Sequence, residues 1–137
     1  MMNNINNDFT AIYYYLHPEN QVNISHQSVR ILQFIQKEEG ATVQDVAKTL
    51  QISPNTASEH IKKLERNGWV TKNRLKDDQR IVNINLTEEG LKIVKVNTEL
   101  DSEKLSKVWA TLTSEQKIEI ESAFHILSEA AKHVYNH

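Results

Sequence analysis

The clearest apolar pattern in the chain predicts a helix that begins just after Ser53. Ala57, Ile61 and Leu64 stand at i, i+4 and i+7, which is the spacing of one narrow buried face. Ser53 is a predicted N-cap, and Pro54 takes the first helical position, where a missing amide hydrogen loses no helical partner. The opposite face carries short polar groups near the start of the helix and cations near its end. A helix held on one side and polar on the other suits the major groove of DNA.

Similar periodicity predicts helices on both sides of this one. Thr42 with Asp45 resembles a capping box ahead of the preceding helix, and Thr113 with Gln116 resembles another ahead of the last helix. Thr87 is the predicted cap of a single long helix between them. The other predicted helices cover residues of about 9–16, 26–39, 43–50 and 88–109, and the last begins after residue 113.

Two segments with the two-residue period of β-strands follow the polar helix, at residues 69–74 and 81–86. Val82, Ile84 and Leu86 alternate with asparagine, which places the apolar side chains on one face. Two strands of this length are marginal alone, so the hairpin must lean on the helices. The predicted fold class is therefore mainly α with a small β-hairpin wing: a winged helix–turn–helix domain flanked by N- and C-terminal helices.

Charge is distributed unevenly along the 137 residues. The formal net charge is −2, which by itself argues against a nucleic-acid partner. Residues 54–80 nevertheless hold seven basic against four acidic residues, and the segments on either side are both acidic. Because a Debye length of about 8 Å screens distant charge at physiological salt, phosphates respond to the local basic patch. The distribution therefore favours DNA as a partner.

Composition and motifs exclude several other classes. No apolar run approaches the ~18 residues of a membrane helix, and the start lacks a basic stretch followed by an apolar core, so we expect a cytoplasmic protein without membrane contact. The chain has no cysteine, which excludes disulfides and thiolate chemistry. No Gly-rich phosphate loop, nucleophile elbow or paired carboxylates occur, so we predict no catalytic residues, no cofactor and no enzyme activity.

Six histidines leave a metal alternative open. His133 and His137 lie at i and i+4 on the last predicted helix, with His125 two turns before His133. A zinc site needs three or four ligands, and no Cys or carboxylate–His cluster marks one. We therefore predict no metal ligand, and a zinc-responsive regulator that uses histidines remains an alternative function.

The order of elements and several motifs resemble the MarR (multiple antibiotic resistance regulator) family of bacterial transcription factors. The most specific part is Asp78-x-Arg80 at the wing tip, followed by Leu86-Thr87-x-x-Gly90. The flanking helices match only in position and pattern. The matching segments are residues 25–32, 42–53, 63–70, 77–80 and 86–90.

This resemblance implies one MarR-like domain over residues 1–137, with a winged helix at 25–90 and dimerisation helices at 5–17 and 91–137. It implies a homodimer that places one recognition helix per subunit in successive major grooves of a double-stranded operator. Arg80 would enter the minor groove, and Asp78 would hold its guanidinium. The predicted DNA-binding residues are Ser53, Pro54, Asn55, Thr56, Ser58, Glu59, Lys62, Lys63, Lys72, Arg74, Lys76, Asp78 and Arg80.

The predicted contacts divide into two kinds. Glu59 stands where many relatives have a basic residue, and it would accept a hydrogen bond from cytosine N4 or pair with Lys62 or Lys63. The operator sequence therefore cannot be taken from relatives. Expected near base edges are Asn55, Thr56, Ser58 and Glu59, and expected at phosphates are Lys62, Lys63, Lys72, Arg74 and Lys76.

A second copy of the chain is the predicted cover for two apolar surfaces. The stripe of the last helix and the aromatic run near the N-terminus find too few neighbours in one protomer. Three consecutive tyrosines at 13–15 cannot all face inward, so at least one is exposed or meets the partner. The predicted dimer contacts are Phe9, Ile12, Tyr13, Ile120, Phe124, Leu127, Ala131 and Val134.

The predicted function is that of a homodimeric repressor that binds a pseudo-palindromic operator. The resemblance implies release by a small apolar or aromatic effector, lodged between the dimer helices and the winged domain. A winged-helix module that contacts protein instead of DNA is a further alternative. Salt-dependent affinity for DNA separates it from the regulator.

Overall fold

The computed structural model describes residues 2–19, 21–74, 77–78 and 80–136. The chain forms two compact units, one of residues 17–99 and one of residues 1–16 together with 100–137. The elements of the described residues are α1 (Met2–Leu16), α2 (His26–Lys37), α3 (Val43–Leu50), α4 (Pro54–Arg66), β1 (Val70–Arg74), β2 (Val82–Leu86), α5 (Glu88–Thr98), α6 (Ser102–Trp109) and α7 (Ser114–Tyr135). The mainly α fold with a small antiparallel hairpin is confirmed.

Local side-chain hydrogen bonds set the starts of α3, α4 and α7 as predicted. The Thr42 hydroxyl accepts from the Asp45 amide at 3.1 Å, and the Asp45 carboxylate accepts from the Thr42 amide at 3.0 Å. Thr113 and Gln116 form the same reciprocal pair ahead of α7. The Ser53 side chain caps α4 by accepting a hydrogen bond from the Thr56 amide. Each cap satisfies an amide that the helix itself leaves without a partner.

The first helix is longer than predicted and begins at Met2. The asparagines in the first turns are polar, and their polarity suggested a later start for this helix. Met2 and Ile5 continue the alternating spacing of three and four residues that joins Phe9, Ile12 and Leu16. One apolar stripe therefore runs along the whole helix.

The prediction of one helix over residues 88–109 is wrong, because the chain breaks it between α5 and α6. The Asp101 carboxylate accepts from the Lys104 amide at 2.9 Å and so caps a new helix. At the end of α5, the Thr98 hydroxyl donates to the Val94 carbonyl at 2.7 Å. An aspartate that bonds a nearby backbone amide favours a non-helical backbone at its own position, which interrupts the longer helix.

One hydrophobic core holds the unit of residues 17–99 together. Ala57, Ile61 and Leu64 of α4 are buried in it, as the periodicity predicted. The hairpin contributes Ile84, whose amide also donates to the Ala41 carbonyl at 2.8 Å. This bond ties the middle of β2 to the segment just before α3, so the hairpin is fixed to the helical part of this unit.

The backbone that follows β2 lies close to the residues that follow α4. The Thr87 amide donates to the Trp69 carbonyl at 3.0 Å, and the Thr87 hydroxyl donates to the Gly68 carbonyl at 2.6 Å. A Cβ built on Gly90 would lie 2.0 Å from the Trp69 carbonyl oxygen. Only glycine fits there. The Leu-Thr-x-x-Gly motif therefore fixes the start of α5 against the residues that follow α4.

The other unit consists of α1, α6 and α7. The Asp101 amide donates to the Leu16 carbonyl at 2.8 Å, which joins the end of α1 to the start of α6. No residue of α7 is buried, and Phe124 and Leu127 are 53% and 58% exposed. A largely apolar groove of about 670 Å³ lies between α6 and α7. No helix in the described part of the chain is long and apolar enough to cross a bilayer.

Candidate nucleic-acid interface

A short turn positions α4 against α3. Gln51 has a left-handed backbone conformation (φ 56°), and the Ile52 amide donates to the Ala47 carbonyl at 3.0 Å. Ser53 then caps α4 directly. Because the turn is short and the apolar face of α4 is buried, the polar face of α4 must point to solvent.

The structure exposes most of the predicted contact residues. Lys76 lies outside the described residues. Exposed are Ser53, Pro54, Asn55, Thr56, Glu59, Lys62, Lys63, Arg74 and Arg80, and half-buried are Ser58, Lys72 and Asp78. These placements leave the roles of the residues toward DNA as predictions.

Hydrogen bonds and an ion pair order the outward face of α4. The Ser53 hydroxyl accepts from the Thr56 amide at 3.0 Å and donates to the Thr56 hydroxyl at 2.8 Å. Glu59 pairs with Lys62 at 3.7 Å, which is one of the two local partners predicted for it. Both side chains of this pair are more than half exposed, so the pair itself stabilises the fold little. Hydroxyl groups therefore lie at the start of the face, and a loosely held cation, Lys62, follows about two turns later.

Lys72 is half-buried, whereas Lys62, Lys63, Arg74 and Arg80 are exposed. It lies in the middle of β1, and its Nζ is 3.9 Å from Oε1 of Glu65 in the last turn of α4. Glu65 was not among the predicted site residues. Glu65 follows the buried Ile61 by one helical turn, which indicates that it borders the core. This spacing does not identify Lys72 as the partner of Glu65.

At the wing tip, Asp78 holds the side chain of Arg80, as the resemblance implied. Arg80 Nε donates to Asp78 Oδ1 at 3.1 Å, and Nη2 donates to Oδ2 at 3.3 Å. The Arg80 amide adds a third bond to Oδ1 at 3.0 Å. The Arg80 side chain remains 91% exposed. The guanidinium is thus oriented by a bidentate contact while it stays open to a partner.

The same contact affects the ionisation of Asp78. The side-chain hydrogen bond from Arg80, followed by the bond from its backbone amide, lowers the pKa of Asp78 below the ordinary aspartate value. A depressed pKa in the folded chain means that the contact is fully present above the ordinary value and is lost only as the pH falls through the depressed one. Asp78 is therefore ionised, and Arg80 held, throughout the neutral range.

The residues predicted for dimer contacts lie mostly in the open. Exposed are Phe9, Phe124, Leu127, Ala131 and Val134, and half-buried are Ile12, Tyr13 and Ile120. Tyr14 and Tyr15 are both 71% exposed, so the prediction that the three tyrosines cannot all face inward is confirmed. In the part of the chain that the structure describes, no three His, Asp or Glu side chains come together as metal ligands. His137 lies outside that part.

The helix–turn–helix, the hairpin and the polar face of α4 define a winged helix–turn–helix protein. The sequence model of the MarR family matches residues 24–82. Over these residues the chain is similar to the MarR family, which confirms the resemblance seen in the sequence.

Two curated relatives show a similarity of the same extent, and both are transcriptional regulators. The organic hydroperoxide resistance transcriptional regulator of Bacillus subtilis is 30% identical over 51% of this chain and 48% of its own length. The HTH-type transcriptional regulator SarZ of Staphylococcus haemolyticus is 29% identical over 50% of this chain and 46% of its own length. The chain thus spans about half the length of the curated relatives it matches.

Solved structures of MepR from S. aureus have a similar fold. The complex of MepR with DNA has a TM-score of 0.53 and 25% identity, and the match covers 78% of this chain and 80% of that chain. MepR bound to ethidium bromide has a TM-score of 0.61 and 22% identity, over 95% and 93% of the two chains.

Proposed function

We propose that this chain is a DNA-binding transcription regulator that acts as a homodimer on a pseudo-palindromic operator. One observation carries the proposal: beside the exposed polar face of α4, the wing ends in an exposed guanidinium that a carboxylate already orients. The curated relatives are regulators and MepR has been solved with DNA, which supports this function and a non-enzymatic role.

The proposal assigns different tasks to α4 and the wing. In the major groove, Asn55, Thr56 and Glu59 face base edges, because short donors and acceptors can read the pattern displayed there. Lys62 and Lys63, one turn further, approach phosphates, which fix the register without reading sequence. Arg80 enters the adjacent minor groove, whose narrow A·T-rich form attracts a planar cation.

A second copy of the chain completes the proposed regulator. The stripe of α7 is exposed from Phe124 to Val134, and single protomers of soluble proteins rarely leave so continuous an apolar surface open. Pairing about a two-fold axis covers the stripe and presents two copies of α4. Half-sites about one helical turn apart would then be read together.

We further propose that the dimer represses by occupying its operator and is released by a small apolar or aromatic effector. A small dimer acts most simply by excluding polymerase from the promoter. MepR has been solved with ethidium bromide, an aromatic compound, which supports this class of effector. A shift of a few ångströms between the two copies of α4 would release the operator, since both must match their half-sites.

A selection on random duplexes followed by salt titration tests the function directly. We expect enrichment of an inverted repeat, with affinity that falls steeply as salt rises, because several cations displace counterions from phosphates. A chain that binds no duplex in a salt-dependent manner contradicts the proposal and favours the protein-interaction alternative. Added zinc that strengthens or abolishes binding would favour the metal-responsive alternative.

The wing tip provides a test with an unexpected sign. Arg80→Ala should weaken operator binding by roughly 1–3 kcal/mol and leave folding nearly unchanged, because the side chain is exposed. Asp78→Ala should also weaken binding, although it removes a negative charge near DNA, because Arg80 loses its orientation. Fluorescence anisotropy on a labelled operator measures both effects.

Asp77→Ala is the matched control for Asp78, since it removes the same charge from the neighbouring exposed residue. We expect unchanged or slightly tighter binding for it. Tighter binding by Asp78→Ala as well would rule out the orienting role.

The reading role of Glu59 is testable through sequence preference. Glu59→Ala should change which bases are selected at one position of each half-site more than it changes non-specific affinity. Lys63→Ala, on the same helix, should instead weaken all sequences alike and reduce the salt slope by about 0.9. An unchanged consensus from Glu59→Ala would show that Glu59 does not read bases.

A further inference from the structure

Lys72 lies on the face of the hairpin that turns toward the helices. Side chains alternate along a strand, so Lys72 shares its face with Val70, which is buried. Across the hairpin it stands opposite Ile84, which is also buried. The neighbouring strand positions Thr71 and Asn73 are exposed. Lys72 therefore lays its aliphatic stem over the core and brings only its ammonium group to the edge.

The ammonium group of Lys72 meets a carboxylate of α4. The Nζ to Oε1 distance to Glu65 is 3.9 Å, and the two side chains are 28% and 44% exposed. This pair is more shielded from water than the Glu59–Lys62 pair on the same helix. Unlike that pair, it joins two different elements, the last turn of α4 and the middle of β1.

The position of the pair along the hairpin is informative. Ile84, opposite Lys72, ties β2 to Ala41 through a backbone hydrogen bond. The Lys72–Glu65 pair ties β1 to α4 at the same level. β1 and β2 are therefore attached to the rest of the winged helix at the same position of the strand register, β1 through Lys72 and β2 through Ile84. The wing tip with Arg80 lies beyond both attachments. A change in either attachment alters the angle at which the tip leaves the helices.

We propose that Lys72 and Glu65 are a positioning pair that sets the wing relative to α4, so that Arg80 meets the minor groove when α4 occupies the major groove. The inference rests on the proposed function. It replaces the phosphate contact predicted for Lys72, because a lysine that reached a phosphate would have to leave both its carboxylate partner and the core face. Lys72 acts on DNA through Arg80.

Salt dependence separates positioning from phosphate contact. Lys72→Met keeps most of the stem and removes the charge. It should weaken operator binding roughly twofold to fivefold, the range of a partly exposed pair, with an unchanged salt slope. A phosphate contact would instead reduce the slope by about 0.9. Glu65→Gln should weaken binding by a similar factor, although it removes a negative charge beside the proposed interface.

Two combinations of substitutions test whether the effect on DNA binding depends on the Lys72–Glu65 pair and on Arg80. The Glu65→Gln, Lys72→Met double variant should be no weaker than either single variant, since both remove the same interaction. In an Arg80→Ala background, Glu65→Gln should have no further effect. Glu89→Gln is the matched control, because it breaks the Glu89–Lys92 pair within α5 at the same change of charge, and binding should not change.

Amide hydrogen exchange without DNA provides an independent measurement. In Glu65→Gln, exchange in β1 and β2 should be several-fold faster, while α2 and α3 remain as in the unmodified chain. Any of three results overturns the positioning role: a lower salt slope for Lys72→Met, equal or tighter binding by Glu65→Gln, or its full effect in the Arg80→Ala background. Failure of the unmodified chain to bind any duplex would overturn the proposed function itself. That result is measured on the unmodified chain, so it is distinguishable from failure of the positioning role, which is measured on the variants.

Discussion

Leu127→Glu is expected to convert the proposed dimer of about 32 kDa to a monomer of 15.8 kDa. Leu127 lies at the centre of the α7 stripe and is 58% exposed in the single chain. In a two-fold interface the substitution places a carboxylate of each protomer against apolar surface, where an unpaired charge is strongly unfavourable. Sedimentation at micromolar concentration measures the mass.

Loss of the dimer should also reduce operator affinity by roughly 100-fold or more, because two linked half-site contacts become independent. Ile118→Glu is the matched control. Ile118 is 68% exposed on the same helix, and nine residues at about 100° each place it on the opposite side from Leu127. It should leave mass and affinity unchanged. A Leu127→Glu protein that stays dimeric, or equal dissociation by both variants, would contradict the assigned interface.

Gly90→Ala is expected to lower the free energy of unfolding by about 3 kcal/mol, at the upper end for overpacking. The new Cβ would meet the Trp69 carbonyl oxygen at 2.0 Å. Neither side can retreat easily, because that oxygen accepts from the Thr87 amide at 3.0 Å and the Gly90 amide donates to the Thr87 hydroxyl at 3.0 Å. The start of α5 must move as a whole.

Gly68→Ala separates crowding from backbone strain. Gly68 has φ +80° and nothing within 4 Å of a built Cβ. Its substitution therefore carries only the penalty of a left-handed alanine, about 1 kcal/mol. Urea unfolding at one fixed protomer concentration compares the two. Similar losses for both variants would mean that the close approach at Trp69 relaxes without difficulty.

The wing tip and the starts of most helices were predictable because they depend on residues close in sequence. A serine or threonine followed three residues later by a matching amide or carboxylate defines its own hydrogen bonds, as at Thr42 and Thr113. Asp78 and Arg80 are two residues apart on a turn, so their contact needs little help from the rest of the fold.

Two local signals were present but were outweighed by others. Asp101 followed by Ser102 is a cap pattern inside an apolar periodicity that continues on both sides, and the continuity suggested one helix. Met2 and Ile5 extend the stripe of α1 through a run of asparagines, whose polarity suggested a later start. The single residue Asp101 breaks a helix that its apolar neighbours favour. The run of asparagines, by contrast, does not break α1.

The sequence by itself determined where most helices begin, which face of α4 is buried and which cation stands at the wing tip, because these follow from periodicity and neighbours a few residues apart. Only the tertiary structure decided that Lys72 faces Glu65 and that Gly90 touches Trp69. Each of these depends on the packing of elements distant in sequence, and a residue type at one position does not reveal what the fold places opposite it.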